Sequence, residues 1–260
     1  YVVSLRSKNK LEDHPFKPTV DHPITKRSIK TYSVDVRTFF HFLYDNEYIE
    51  KDIMKGFKII KPEKKLVLPL FQGEVDMIDH LFNQKTYRGL RNYCIVHLMI
   101  DEGLRSGDIV NLTTRSVNFD ENYVIVLDGK GDKDRIVPLA KRLRQPLYKY
   151  LTFHRPYTSE HDFLFCSLND PEEPFTLDAM KSLFARIKRE TDLKRLKPHL
   201  LRHTFATSFI LGGGDLESLR LYLGHVSIET TQQYLHLANL YSRMGSDIYK
   251  LDGIFFTPSL

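Results

Sequence analysis

Apolar residues recur at helical spacing along most of this chain, interrupted in the middle by two short strand-like runs. From residue 25 to 44, Ile29, Tyr32, Val36, Phe39, Phe40 and Leu43 fall on one face of a helical repeat, with Lys26, Arg27, Lys30 and Arg37 around them. This pattern predicts an amphipathic helix with a basic flank. Ahead of it, weak periodicity and the prolines Pro15, Pro18 and Pro23 predict a loop or extended arm. A second, short helix is expected at residues 52–57, followed by a charged linker, Lys61-Pro62-Glu63-Lys64-Lys65. The domain boundary therefore falls near residues 60–70, giving domains at 1–65 and 66–260.

Residues 72–81 and 87–102 read as two more helices, the second stopped by Gly103. The runs Tyr123-Val-Ile-Val-Leu127 and Arg135-Ile-Val-Pro-Leu139 read as strands joined by a polar hairpin turn that carries Lys130 near its tip. Residues 177–190 put Leu177, Met180, Phe184 and Ile187 on one helical face and Lys181, Lys188 and Arg189 elsewhere. Such a helix can enter a DNA major groove, or simply be solvated. His199 and Arg202, three apart, share one side of a helical turn. Gly212-Gly-Gly-Asp215 breaks the chain before a helix that Asp215 caps and Leu223-Gly-His225 ends, and Ser227 caps the stretch carrying Tyr234. Leu237, Leu240, Tyr241, Met244 and Ile248 form a last apolar stripe, which either packs on its own domain or docks on a neighbouring protomer.

At 260 residues and 42% hydrophobic composition, the chain can bury one substantial core and a smaller second one. The longest apolar stretch, residues 93–100, contains His97 and is far short of the roughly 18 residues of a membrane span. No signal peptide is recognised, and Cys94 and Cys166 sit in apolar runs, so structural thiols in a reducing, cytoplasmic setting are expected. Charge is uneven. Residues 1–65 hold 14 Lys+Arg against 9 Asp+Glu, while the remainder balances at 24 of each, so the net +5 is all N-terminal. That asymmetry suits an N-terminal part that holds a polyanion, or a solvated charged face.

The chemistry lies in the joint spacing of Arg105, Lys130, His199, Arg202, His225 and Tyr234. Two guanidinium groups can grip the non-bridging oxygens of a phosphodiester and tighten as charge builds in the transition state, which takes the place of a metal ion. A phenol of pKa about 10 attacks phosphorus only when a base takes its proton or nearby positive charge favours the phenolate. His199 is the candidate base, His225 a candidate donor to the phosphate, and Lys130 a candidate acid for the departing oxygen. His225 and His236 lack further ligands at metal-binding spacing, so no metal site is expected.

These residues, in the runs Glu102-Gly-Leu-Arg105, Gly129-Lys-Gly-Asp-Lys-Asp-Arg135, His199-Leu-Leu-Arg-His-Thr-Phe205 and Leu223-Gly-His225 through Thr230-Thr231 to Tyr234, resemble the tyrosine recombinase family of phage integrases, Xer-type recombinases and transposon integrases. The resemblance covers residues 66–250. It implies an α+β fold: a mainly helical two-domain clamp, with a small antiparallel sheet in the C-terminal catalytic domain and a partial helical core-binding domain before it. It implies that Tyr234 forms a 3′-phosphotyrosyl link, that Lys130 protonates the 5′-hydroxyl, and that no cofactor is used. The implied partners are double-stranded DNA with specific recombination sites, further copies forming a homotetramer on two synapsed sites, and accessory DNA-bending or directionality proteins. A nucleoid-associated protein of bacterial, phage or mobile-element origin is expected, acting in integration and excision, with Xer-type chromosome-dimer resolution as the alternative.

Asp108 stands where the family more often has glutamate, after the less helix-favouring pair Ser106-Gly107, and is expected to support the arginines. His203 matches a packed, supporting position. The core-binding part is short and Tyr1 is not methionine, so an N-terminal piece is expected to have been removed. Lys26, Arg27, Lys30, Arg37, Lys181, Lys188 and Arg189 are the candidate DNA contacts. A type IB topoisomerase would use similar chemistry, a non-catalytic DNA-binding protein on the same fold would not need all six residues, and a ribonuclease-like site would not need Tyr234 or Lys130.

Overall fold

The computed structural model describes residues 8–10, 20–59, 67–127, 134–158, 162–244 and 247–251. The chain divides into two compact units, Tyr1–Val67 and Leu68–Leu260. In the first, helix α1 (Lys26–Asp45) starts where Thr25 Oγ1 accepts the Ser28 N–H at 3.1 Å, a side-chain cap for an otherwise unpaired donor. Of its expected apolar stripe, Ile29 is buried, whereas Tyr32 and Phe39 are exposed. Where a loop or arm was expected, the described residues form an antiparallel pair, β1 (Asn9–Lys10) with β2 (Val20–Pro23). The helix expected at residues 52–57 is absent. Two tight turns stand there instead, Lys55 N–H to Asp52 O and Phe57 N–H to Met54 O, because Gly56 takes φ +79° and too few residues remain to nucleate a helix.

The second unit is a helical body with one small sheet, the α+β class expected. Its elements are α2 (Gln72–His80), α3 (Tyr87–Ile100), α4 (Ser106–Asn111), the strands β3 (Val117–Asn118), β4 (Tyr123–Val126) and β5 (Arg135–Pro138), and α5 (Lys141–Lys149) with a π-helical turn at Tyr150–His154. Then come α6 (Leu177–Thr191), α7 (Pro198–Leu211), α8 (Leu216–Leu223) and α9 (Glu229–Met244). The sheet is antiparallel in the order β3-β4-β5, with Tyr123 opposite Pro138 and Val126 opposite Arg135.

Two helices are buried on all sides. Every residue of α3 from Gly89 to Ile100 is buried, and so is every residue of α7 from Leu200 to Phe209. A larger core packs α2, α3, the sheet, α5 and α6. A smaller one, formed by Phe205, Ala206, Phe209, Leu219, Leu223 and Tyr234, joins α7, α8 and α9. Cys94 and Cys166 are buried free thiols. At the other end of the chain, Gln72 donates to Asp247 O at 3.0 Å and Tyr249 to Leu70 O at 3.1 Å. Of the last apolar stripe, Tyr241 and Ile248 are buried in this unit while Leu240 stays exposed. No helix among the described residues is long and apolar enough to cross a membrane.

Candidate active site

Arg202 sits in the fully buried stretch of α7, where a guanidinium is costly unless its donors are used. They are used: Nη1 donates to Gly103 O at 2.7 Å and Nη2 to Leu223 O. Gly103, with φ +69° and Phe205 packed where a Cβ would stand, brings that carbonyl close. Burial, and the neighbouring charges of Arg105 and Arg135, push the Arg202 pKa down.

Arg105 stands just ahead of α4, at its N-cap. Its Nη2 donates to Gly224 O at 3.2 Å, and its backbone N–H donates to Asp108 Oδ2 at 2.7 Å, which satisfies one of the open donors at the start of α4. Asp108 also pairs with the buried Arg135, whose Nε donates to Tyr222 O at 2.9 Å. Arg135 was missed as a site residue in the sequence. Only the structure reveals it: along β5 the arginine is buried and Ile136 exposed, an inversion of the usual apolar-in alternation.

His225 follows Gly224, whose φ of +58° ends α8 in the left-handed conformation. Its Nε2 lies 3.3 Å from Arg202 Nη2 and its Nδ1 lies 3.0 Å from Thr231 Oγ1. A guanidinium only donates, so this arrangement assigns Nε2 as acceptor and gives the ring proton to Nδ1, which donates to Thr231. Burial, then the charges of Arg202, Arg105, His199 and Arg135, bring the His225 pKa down to about 4, so the ring is neutral at physiological pH. Thr231, in the first turn of α9, is fully buried and was not singled out by its sequence position.

Tyr234, one turn further along α9, is 4% exposed and packs its ring against His203 at a centroid distance of 5.3 Å. Burial raises its phenol pKa, while Arg202 and Arg105 oppose that rise. His199 is exposed on the first turn of α7. The structure thus gathers Arg105, Asp108, His199, Arg202, His203, His225 and Tyr234 about the ends of α7 and α8. Lys130 lies outside the described residues. Of the candidate DNA contacts, Lys26, Arg27 and Lys30 are exposed and Arg37 half-buried on α1. On α6, Lys181 pairs with Asp178 at 2.7 Å, Lys188 is half-buried, and Arg189 stands 3.7 Å from Glu190.

Clustered arginines, a neutral histidine and a buried phenol on a helical α+β scaffold define a candidate phosphodiester-transfer site with its own nucleophile. Residues 71–240 match the phage integrase family. The tyrosine recombinase XerC of Staphylococcus aureus (strain JH9) is 32% identical over 221 residues, which is 83% of this chain and 72% of that protein. The crystal structure of XerA recombinase superposes with a TM-score of 0.60 at 26% identity, covering 85% of this chain and 84% of the other. The Tn1549 transposon integrase, solved in complex with a circular intermediate DNA, shares the fold with a TM-score of 0.66 at 18% identity, over 86% of this chain and 80% of that one. The chain belongs to the phage integrase family and is a tyrosine site-specific recombinase.

Proposed function

We propose that this chain cuts and rejoins double-stranded DNA at specific sites through a 3′-phosphotyrosyl intermediate on Tyr234. The observation that carries the reading is the convergence of Arg105 and Arg202 at the end of α8, where both charges act on the buried Tyr234 phenol. In this mechanism the two guanidinium groups hold the non-bridging oxygens of the scissile phosphate and strengthen as charge develops. Tyr234 Oη attacks phosphorus and passes its proton to His199, the P–O5′ bond breaks, and Lys130 protonates the departing O5′. Rejoining reverses these steps with another strand's 5′-hydroxyl. His225 faces Arg202 as an acceptor in the DNA-free site, so it donates to the phosphate only once incoming negative charge restores a proton at Nε2.

In this reading, the basic positions of α1 (Lys26, Arg27, Lys30, Arg37) and of α6 (Lys181, Lys188, Arg189) hold the duplex, with 1–65 as core-binding domain and 66–260 as catalytic domain. The working form is a homotetramer on two synapsed sites, aided by DNA-bending or directionality proteins and acting in integration and excision of a mobile element in the cytoplasm. Identity to XerC favours a second setting, Xer-type chromosome-dimer resolution. Nicked suicide duplexes, tiled across the DNA flanking the gene and across the chromosome, test both by scoring SDS-resistant protein–DNA adducts with the wild type and Tyr234→Phe. Adducts that need Tyr234 are expected. Sites beside the gene favour the mobile-element role, and an unlinked chromosomal site favours dimer resolution. Adducts that survive Tyr234→Phe would overturn the mechanism.

A further inference from the structure

A charged side chain that points inward from a strand is retained only if its donors are satisfied. Arg135 is 8% exposed at the first position of β5. Its Nε holds Tyr222 O at 2.9 Å. Its Nη2 pairs with Asp108 Oδ2, the oxygen that also accepts the Arg105 N–H at 2.7 Å. Gly224 leaves bare the face on which both arginines rest: a Cβ there would stand 3.2 Å from Arg135 Cδ and 3.5 Å from Arg105 Nη1. One planar fork therefore joins three stretches of chain that are remote in sequence, the start of β5, the start of α4 and the end of α8. The last two present Arg105 and His225. Lysine would keep the charge but reaches one acceptor where the guanidinium fork reaches two.

We infer that Arg135 is a positioning residue for strand cleavage, one that fixes Arg105 and the Gly224–His225 turn in their phosphate-gripping arrangement without touching DNA itself. The inference rests on the proposed strand-cleavage function. In this role Arg135 acts largely through Asp108 and the Arg105 side chain that grips Gly224 O, so its loss and the loss of Arg105 overlap and do not multiply in full.

The test measures adduct formation at saturating suicide duplex, duplex Kd and thermal unfolding for wild type, Arg135→Gln, Arg135→Lys, Arg105→Ala and the double variant Arg135→Gln/Arg105→Ala. Arg135→Gln is expected to slow cleavage by about 30-fold or more, and Arg135→Lys by about tenfold, with Kd changed by less than about threefold; the double variant should cleave within about threefold of Arg105→Ala alone. Should Arg135→Gln fail to fold, Arg135→Lys, which keeps Asp108 neutralised, carries the same comparison in its own double variant. Wild-type cleavage rates in the folded variants, a loss confined to Kd, or full multiplication with Arg105→Ala would each overturn the role. A wild type that forms no Tyr234-dependent adduct on any duplex overturns the strand-cleavage reading beneath it, whereas an active wild type with unimpaired Arg135 variants overturns this role alone.

Discussion

Thr231 Oγ1 lies 3.0 Å from His225 Nδ1. That contact anchors the histidine from the helix that carries Tyr234, so the ring and the phenol are positioned by the same first turns of α9. It also holds the tautomer, because Thr231 Oγ1 accepts the hydrogen bond from Nδ1–H and leaves Nε2 aimed at Arg202.

Replacing Thr231 by valine keeps the shape and removes the acceptor. The ring is then free to place its proton on either nitrogen. Cleavage by Thr231→Val is expected to fall about 10- to 100-fold, as when the outer partner of a working imidazole is lost, with duplex affinity retained. Single-turnover adduct formation beside a binding isotherm checks this, and an unchanged rate would remove Thr231 from the site.

The neutrality of His225 is measurable without DNA. Burial, then the cations Arg202 and Arg105, then His199 and the cation Arg135, lower its pKa to about 4, while Thr231 and the Arg220 contact to its carbonyl at 2.9 Å are uncharged or face away from the ring. An unperturbed histidine titrates at about 6.5. Ring-nitrogen NMR shifts of His225 are therefore expected to stay constant from neutral pH down to about 5. Phosphate in the site adds negative charge and should move the titration upward.

A different histidine makes stability depend on pH. His97, fully buried in α3, sits between Asp101 Oδ2 at 2.6 Å and Asp79 Oδ1 at 2.8 Å. Asp79 also pairs with Arg142, which donates to Tyr249 Oη at 2.9 Å, and Tyr249 Oη donates to Asp101 at 2.5 Å. Burial pushes the His97 pKa down, but the carboxylates outweigh it and raise it to about 9. A folded pKa above the unfolded value of about 6.5 gives stability that is complete below that pH and is lost as pH rises through about 9. Glu102, whose carboxyl is raised by burial and by Asp101, pushes the same way as pH rises above the ordinary carboxylate range. Denaturant unfolding should therefore show a decline of a few kcal/mol between about pH 6.5 and 9, flattened in His97→Gln.

The extent to which this fold is legible in sequence varies with the length and symmetry of each element. Helix α3 is plain because a long apolar run ends at Gly103, and β4 and β5 because both are apolar runs flanking a polar, glycine-bearing stretch of sequence. Helix α5 is not, since it is rich in cations and holds Pro146 inside it, and the two residues of β3 are too few for any period to show. Residues 52–57 mislead in the other direction, where a local apolar pattern loses to Gly56. In the candidate site, Arg105, His199, Arg202, His225 and Tyr234 are legible because phosphate chemistry calls for side chains of those types and because their order and spacing resemble those of the tyrosine recombinases. Arg135 and Thr231 are not, because their importance lies in contacts to Asp108 and His225 that only tertiary packing creates.

The turn at Gly224 offers a test that separates backbone strain from damage to the site. Gly224 takes φ +58°, and its carbonyl accepts Arg105 Nη2 at 3.2 Å. Alanine there costs about 1–2 kcal/mol for the left-handed backbone alone. It also sets a methyl 3.2 Å from Arg135 Cδ, which must give way by a few tenths of an ångström, and 3.5 Å from Arg105 Nη1, an ordinary contact. Gly213 supplies the control, with φ +93° and nothing within 4 Å of an added Cβ. Both alanine variants should lose a similar, modest amount of thermal stability. Only Gly224→Ala should lose cleavage, by about tenfold or more, since the Gly224 carbonyl holds Arg105 and a shift at Arg135 reaches Arg105 through Asp108. Equal cleavage by the two variants would mean that the Gly224 turn serves the fold and leaves the arginines indifferent to it.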